Sequence, residues 1–512
     1  MESPSPSAPS VPDEREVQRA ALVGHRQRLT DALALAPYDL ILYLERAVVY
    51  SDLAYPDLAA GDAYRALLLT DEVLNEGFEY HEQAKESLEA HSTEPCPKVL
   101  NHGDLLVNMK NMADGDEVEG SEPYRQLAIT ASVRCFQILS LSLLLCGCLA
   151  SASDFVEKGL KILPENKELL EIKGYTEQVA RRRLRLKPDD PIDFHDLPDV
   201  GVVRREIYPW NTYEPDRFSE ESLSFLNGQL ETMAPKCALG LFAQEDIAPG
   251  EAVLKEYSLL TANNRHKEST CDACGTELPP LKVQTEAVSC PECYDTVFCD
   301  EFCFEKAQEE YHPAVCDKDV DSIAKDPEAK DVAESLYLLL LARLLAMSNH
   351  QEVHPLELKE IKYIWGDFYN IEIPLHILEK MDIDIFETLP QHDLWVFNTA
   401  YSKFRGTASA RKGLRDGRPE VAAVHPFWCL ANHDCDPNVT WEWGGRMTLF
   451  ARETRVVGNR PGGIKAGEEI LNHYCDVDLP VKDRREWAQG ALGGWCMCKR
   501  CRDEAAATNG SD

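Results

Sequence analysis

Apolar residues recur at helical spacing from about Gln27 to Tyr175, and a fixed period appears once Pro37 is taken as the end of one unit. Ala47, Tyr50, Ala59 and Ala66 then fall at the small and aromatic positions of a repeat of about 34 residues. Pro164 restarts the register, with Ala152 and Gly159 before it and Gly174 at the next small position. Small side chains recur where antiparallel helices approach closely, so the pattern predicts a helical solenoid. The match is degenerate, and generic helix pairs are the alternative. The longest apolar run, Leu139 to Ala150, is too short to cross a bilayer and predicts a buried helix. The acidic, glycine-containing stretch Asn111 to Tyr124 reads as a loop insertion between helices.

Further along, the pattern changes. Within Ala234 to Leu260 the second half alternates as a strand does, and Pro249-Gly250 fits a tight connection between two strands. Asp331 to His350 carries the continuous leucines of a buried helix. Strand character returns in "GRMTLFARE" and "AGEEILNHYCDVDLP". The opening "MESPSPSAPSVPDER" has no apolar core and predicts a disordered start to about residue 24, with no secretory address. After Tyr175, "RRRLRLKPDDPIDFHDLPDVG" ends the helical region and predicts a linker over 181–233. Its basic run, Arg181 to Lys187, is either a solvated helix end or a nuclear import patch.

The length of 512 residues suggests about three domains, and the balance of 53 basic against 88 acidic residues gives a formal net charge of −35. That charge argues against nucleic-acid binding through bulk electrostatics and favours basic partners, although much of it serves solubility. Without an export signal the chain is expected inside the cell, in nucleus or cytoplasm, where its eighteen cysteines stay reduced. Clustered thiols in that setting indicate metal or catalysis.

Seven of those cysteines lie between Cys271 and Cys316. Two C-x2-C pairs, Cys271/Cys274 and Cys290/Cys293, are followed by Cys299, Cys303, His312 and Cys316. Eight soft ligands at short gaps make two closed tetrahedral zinc sites, a structural arrangement with no open position for catalysis. Near the C-terminus Cys496, Cys498 and Cys501 supply three more thiolates and need a fourth ligand from elsewhere. The loop "CLANHDCDPNVTWEW", Cys429 to Trp443, crowds an amide, an imidazole and a thiol around a turn-forming proline.

The finger resembles a MYND zinc finger, and the order of strand, finger, helices, strands and cysteine cluster resembles the SET-and-MYND (SMYD) group of SET-domain protein lysine methyltransferases. The resemblance covers Ala234 to Cys501, and the helical repeat is similar, more loosely, to tetratricopeptide (TPR) units. It implies a multidomain α+β chain: a TPR-like all-α region at 25–180, a β-rich SET fold beginning at 234–270, the MYND-type finger at 271–316, a helical insert at 317–424, the catalytic part at 425–480, a post-SET zinc region at 481–504 and a disordered tail at 505–512. It also implies interleaved zinc sites, Cys271, Cys274, Cys299 and Cys303 on one ion and Cys290, Cys293, His312 and Cys316 on the other. A third zinc would join Cys435 to Cys496, Cys498 and Cys501.

Carried over residue by residue, the resemblance makes Tyr474 the catalytic tyrosine. It places Ala238, Gly240, Leu241, Asn398, Asn432, His433, Tyr474 and Trp495 around S-adenosylmethionine. Ala238 stands where the family has a glycine, Asp434 where it has a serine and is expected to face solvent, and Val456 to Lys465 lengthens a turn. The implied activity is methyl transfer to lysine side chains of a histone or other basic protein, with peptide partners held by TPR and MYND surfaces and no membrane. The rival reading is an adaptor with a degenerate SET fold.

Overall fold

The computed structural model describes residues 14–509 except 93–95, 103–104, 106–121, 195–196, 198–206, 215–229, 234–239, 259, 265–269, 279–285, 294–295, 325–331, 363, 365–374, 413–418, 426, 444 and 493. Ala238 and most of the acidic stretch after Asn111 lie outside the described residues.

Among the described residues the first seven α-helices are α1 (Glu14–Leu35), α2 (Leu40–Asp52), α3 (Pro56–Leu74), α4 (His81–His91), α5 (Pro123–Cys146), α6 (Leu149–Ile162) and α7 (Lys167–Leu184). Local chemistry sets their ends. The Asp39 carboxylate caps α2 by accepting from the Ile41 and Leu42 amides, α3 and α5 begin with proline, and α5 stops at Gly147 in the left-handed region. Ala47, Ala59, Ala66 and Ala152 are buried at helix contacts, as the small-residue pattern predicts. A Cβ on Gly159 would stand 2.7 Å from Leu169 and 2.9 Å from Phe136, whereas one on Gly174 would meet nothing. Gly174 is therefore not a packing position, because its side of α7 faces solvent. By length and hydropathy α5 could cross a membrane, but 78% of that window is buried, so it packs as a core helix.

Three boundary expectations change. Helix α1 starts at Glu14, inside the stretch expected to be disordered, because Leu22, Val23, Leu29 and Leu33 anchor it to the core. The expected linker is not loose where it is described: Tyr208 and Trp210 stack against each other and pack on Tyr50 and Tyr55, and Glu214 pairs with buried Lys403 at 3.1 Å. The tail is helical to Asn509, since Glu504 bonds both Arg484 and Arg500. In the basic run, Arg181 and Arg183 donate to backbone carbonyls of Asp190 and Gly147, the geometry of a helix end whose dipole favours cations.

The β-rich half contains β1 (Leu230–Met233), β2 (Gly240–Ala243), β3 (Ala252–Tyr257), β4 (Leu260–Asn263), the finger's β5 (Val288–Ser289) and β6 (Val297–Phe298), β7 (Ala408–Lys412), β8 (Pro419–Val424), β9 (Asn432–His433), β10 (Val439–Trp443), β11 (Arg446–Ala451) and β12 (Leu471–Asn472). Antiparallel sheets β10-β11-β3 and β4-β8-β7 enclose a core of Leu241, Val253, Val421, Val439 and Leu449. Strands β9 and β12 pair in parallel, Asn432 against Leu471 and His433 against Asn472. The remaining longer helices are α8 (Glu301–Glu310) in the finger, α9 (Val332–Gln351) and α10 (Leu394–Thr407) in the insert, and α11 (Val481–Leu492) and α12 (Lys499–Asn509) at the C-terminus.

The helical region and the insert share one buried charge network. Asp393 caps α10 and faces Arg26, Arg46 and Arg65 at 3.4, 3.1 and 3.9 Å, while Asp62 closes on Arg46 at 2.6 Å. This face of the helical region is thus filled by the chain's own α10 and by Tyr208 and Trp210.

Candidate functional site

Two cavities lie beside the parallel pair β9/β12, one lined by its residues and the other by His473 and Tyr474 just after β12. One cavity, about 520 Å³, is lined by Asn432, His433, Asp434, Glu469, Leu471 and Trp495. The other, about 720 Å³, is lined by tryptophans at 428, 441, 443 and 487, by Tyr474 and by β7. The His433 and Tyr474 rings lie 5.2 Å apart, so the two cavities meet across them.

Asn438 holds the β9/β12 pair together. Its buried side chain donates to the Glu469 carbonyl and accepts from the Leu471 amide, both at 2.7 Å, tying the loop after β9 to the strand before Tyr474. Asp436 ties the lengthened turn to the same loop, accepting from the Val457 amide at 2.9 Å and Arg460 at 2.6 Å. Asp434, expected to face solvent, lines the smaller cavity, because its carboxylate turns back to accept the Asp436 amide at 2.7 Å.

His433 accepts the Tyr474 amide on Nδ1 at 2.9 Å, which leaves the proton on Nε2, 3.4 Å from Cys435 Sγ. Burial lowers its pKa to about 4, so it is neutral at physiological pH. The Tyr474 hydroxyl donates to the Ala431 carbonyl at 3.0 Å, and burial pushes the phenol above its ordinary value, so it stays protonated.

Of the residues expected around the cofactor, the smaller cavity gathers Asn432, His433 and Trp495. Gly240 borders it, since a Cβ there would stand 2.9 Å from Glu469 Oε1 and 3.1 Å from Asn432 Nδ2. The Leu241 side chain instead fills the sheet core, for β2 alternates and only one face meets the cavity; its carbonyl bonds the Ile470 amide. Asn398 is misplaced by the sequence reading. It is fully buried in α10, 3.2 Å from both Asp57 Oδ2 and the Tyr208 hydroxyl, where it joins the insert to the helical region. Tyr474 lines the larger cavity and is absent from the smaller one's lining.

Glu469 was missed. Its carboxylate accepts from the Asn432 amide at 2.6 Å inside the smaller cavity, and its signal was the second acid of "GEE". Glu256 was also missed. Buried on β3, it accepts the Phe427 and Trp428 amides at 2.9 Å each and so fixes the start of the site loop. Burial raises its pKa to about 7. Its protonated form is therefore favoured by folding: the contribution is fully present below the unfolded pKa of about 4.5 and is lost as pH rises through about 7. Urea unfolding from pH 5 to 8 should show wild-type stability falling by up to about 3 kcal/mol more than that of Glu256→Gln. Equal pH slopes for the two proteins would remove Glu256 as the cause.

Three groups of four ligand atoms come together, each within 4.8 Å: Cys271, Cys274, Cys299 and Cys303; Cys290, Cys293, His312 and Cys316; and Cys435, Cys496, Cys498 and Cys501. Zinc–sulfur bonds of about 2.3 Å at tetrahedral angles separate sulfurs by about 3.8 Å. Cys274 and Cys299 lie 3.8 Å apart, Cys290 and Cys316 3.8 Å, and Cys435 and Cys496 3.9 Å, so the three groups fit zinc. The third group fastens α12 to the loop after β9, helped by Arg500, which donates to the Cys435 and Val477 carbonyls. Cys475, His433 and Cys435 also converge, but a metal on His433 Nε2 would require a proton on Nδ1, and Nδ1 already accepts from Tyr474.

The SET domain family model matches residues 238–475. The chain is 23% identical over 274 residues to "SET domain and MYND-type zinc finger protein 6" of Schizosaccharomyces pombe, covering 53% of this chain and 51% of that one. It is 26% identical over 293 residues to "N-lysine methyltransferase SMYD2" of Gallus gallus and 25% over 294 residues to the Homo sapiens protein of that name, covering 54% of this chain and 60% of each. The fold around β9/β12 is thus that of a SET-domain protein. With the eight-ligand cluster set between β4 and the insert, the chain is similar to SET-and-MYND (SMYD) proteins over about half its length. It spans between half and three fifths of the length of these curated relatives.

Proposed function

We propose that the chain is an S-adenosylmethionine-dependent protein lysine N-methyltransferase. The observation that carries this reading is the pair of neighbouring cavities beside β9/β12, one offering Asn432, His433 and Glu469 beside Trp495 and the other lined by tryptophans, with the Tyr474 ring against His433 between them. Asn432 and Glu469 offer an amide and a carboxylate to an amino acid ammonium and carboxylate or to ribose hydroxyls, and Trp495 offers a broad apolar face to a base. S-adenosylmethionine, when bound, supplies an electrophilic methyl group.

The chain's own residues then have three tasks. Lysine has a pKa near 10.4, so presenting it neutral near pH 7.4 costs about 4 kcal/mol, and the desolvating walls of the larger cavity offset part of that by disfavouring the ammonium. Tyr474, whose hydroxyl proton is held by Ala431, keeps an oxygen lone pair free to accept an amine N–H and aim the nitrogen. Asp476 and Asp478 at the rim draw basic segments, in keeping with the chain's net negative charge. The three thiolate groups would hold structural zinc. A histone tail or another basic protein is the substrate class this charge favours, and nucleus or cytoplasm the setting.

Titrating the full chain with S-adenosylmethionine in a calorimeter tests the reading. Saturable binding supports it, and absence of binding heat returns the chain to an adaptor. Gly240→Ala should weaken that binding at least tenfold, because its Cβ would push into the Glu469–Asn432 pair, while the unfolding midpoint shifts little. Unchanged affinity would show that the donor does not use this cavity.

A further inference from the structure

Five thiols, not four, gather beside the candidate site. Cys435 belongs to two groups at once: its Sγ lies within 4.8 Å of those of Cys496, Cys498 and Cys501, and also within 4.8 Å of Cys475 Sγ and a His433 ring nitrogen. The pairing of β9 with β12 brings this about. The strands run parallel with His433 beside Asn472, so the chain carries Cys435 and Cys475 out of the same end of the pair. A closed zinc site takes four ligands, and Cys496, Cys498 and Cys501 complete it around Cys435. Cys475 is left over, since a metal on its own group would need His433 in the other tautomer.

The fifth thiol has its own access. Cys475 is 3% exposed yet lines the larger cavity, at whose rim Trp487 stands half exposed, and a molecule as small as hydrogen peroxide fits a space of about 720 Å³. Cys435 is fully buried and lines neither cavity. Arg484, also buried, brings its guanidinium to 3.6 Å from Cys501 Sγ, so positive charge stands beside the sulfurs. Each finger group has four ligands and, among the described residues, no fifth cysteine grouped with it.

We infer that Cys475 and Cys435 form a peroxide-sensitive pair whose oxidation opens the C-terminal zinc site. The Cys475 sulfur attacks one oxygen of hydrogen peroxide as the O–O bond breaks; the thiol proton goes to the departing oxygen, giving a sulfenic acid and one water. The Cys435 thiolate then attacks the Cys475 sulfur, an S–S bond replaces the S–O bond, and the departing hydroxide takes up a proton as a second water. The two sulfurs give up two electrons, and one peroxide becomes two waters. Three thiolates remain where four closed the site, so its hold on zinc is lost. The new bond also pulls on the backbone next to Tyr474, whose amide bonds His433, and frees α12 from one of its fastenings. The thiol chemistry stands by itself, and its control of methyl transfer rests on the methyltransferase reading of the neighbouring site.

Graded hydrogen peroxide applied to the full chain carrying three zinc ions tests the pair. Native mass spectrometry should show one ion lost before the other two, peptide mapping should find a Cys435–Cys475 disulfide, and a dithiol with added zinc should restore the third ion. Cys475→Ser keeps all four ligands and should need at least about tenfold more peroxide to lose that ion. The mapping on the wild-type chain decides the matter even where the variant fails to fold. A third site empty before peroxide, loss of all three ions together, a first disulfide between other cysteines, or equal sensitivity of Cys475→Ser overturns the inference. Single-turnover transfer in the same samples should fall as the disulfide forms, and transfer unchanged by the disulfide overturns its control of activity. Absence of S-adenosylmethionine binding before peroxide, with the disulfide and zinc loss still observed, supports the pair and overturns the methyltransferase reading instead.

Discussion

Tyr474→Phe should lower methyl transfer at least tenfold, about 1.4 kcal/mol or more of transition-state stabilisation, while leaving the fold and S-adenosylmethionine affinity in place. The two effects separate because of where the hydroxyl sits. Its hydrogen bond to the Ala431 carbonyl is worth about 1 kcal/mol, so its removal does not unfold the chain. The smaller cavity does not include Tyr474, so donor binding is unaffected. What is lost is the Tyr474 hydroxyl, placed to orient an amine nitrogen. Single-turnover transfer to a peptide, set beside calorimetric donor affinity, measures both halves, and unchanged turnover would take Tyr474 out of the mechanism.

Asp393→Ala should destabilise the chain by about 3–5 kcal/mol, the cost of leaving buried charges uncompensated. Arg26, Arg46 and Arg65 are all nearly inaccessible to solvent, and of the network's two acids only Asp62, paired with Arg46, would remain. Asp393→Asn, which can still cap α10, should recover the cap's share of about 1 kcal/mol and no more. Methyl transfer should fall as well, since α10 runs directly into β7, a wall of the larger cavity. Urea unfolding of both variants provides the readout. A loss under about 1 kcal/mol for Asp393→Ala would show that the network does not join the helical region to the insert.

The site was legible where its chemistry is local. The spacing of Cys271, Cys274, Cys290 and Cys293 and the thiols that follow reflects ligand geometry, which tolerates few arrangements, and the structure groups the same twelve ligands. Asn432, His433 and Asn438 were marked by their crowding into one turn. Asn398 was read wrongly because its partner Asp57 lies 341 residues away, and a buried amide on a helix carries no sign of what it will meet. Gly174 failed for a related reason: a small residue at a repeat position indicates packing only if a second helix arrives there.

From the amino-acid order alone came the helical first half, the metal-binding clusters, the loop around β9 and the tyrosine after "GEE", all features whose physics is short-range: periodicity, turn chemistry and ligand softness. Convergence belonged to the folded chain. Strand β9 beside β12 opposes Asn432 to Leu471 and brings Glu469 against Gly240. Helix α10 is clamped by arginines more than 300 residues away in sequence, and tryptophans from the loop, from β10 and from α11 meet around one cavity. Loop-closure entropy and core packing select these long-range encounters, and neither leaves a mark in any short window of residues.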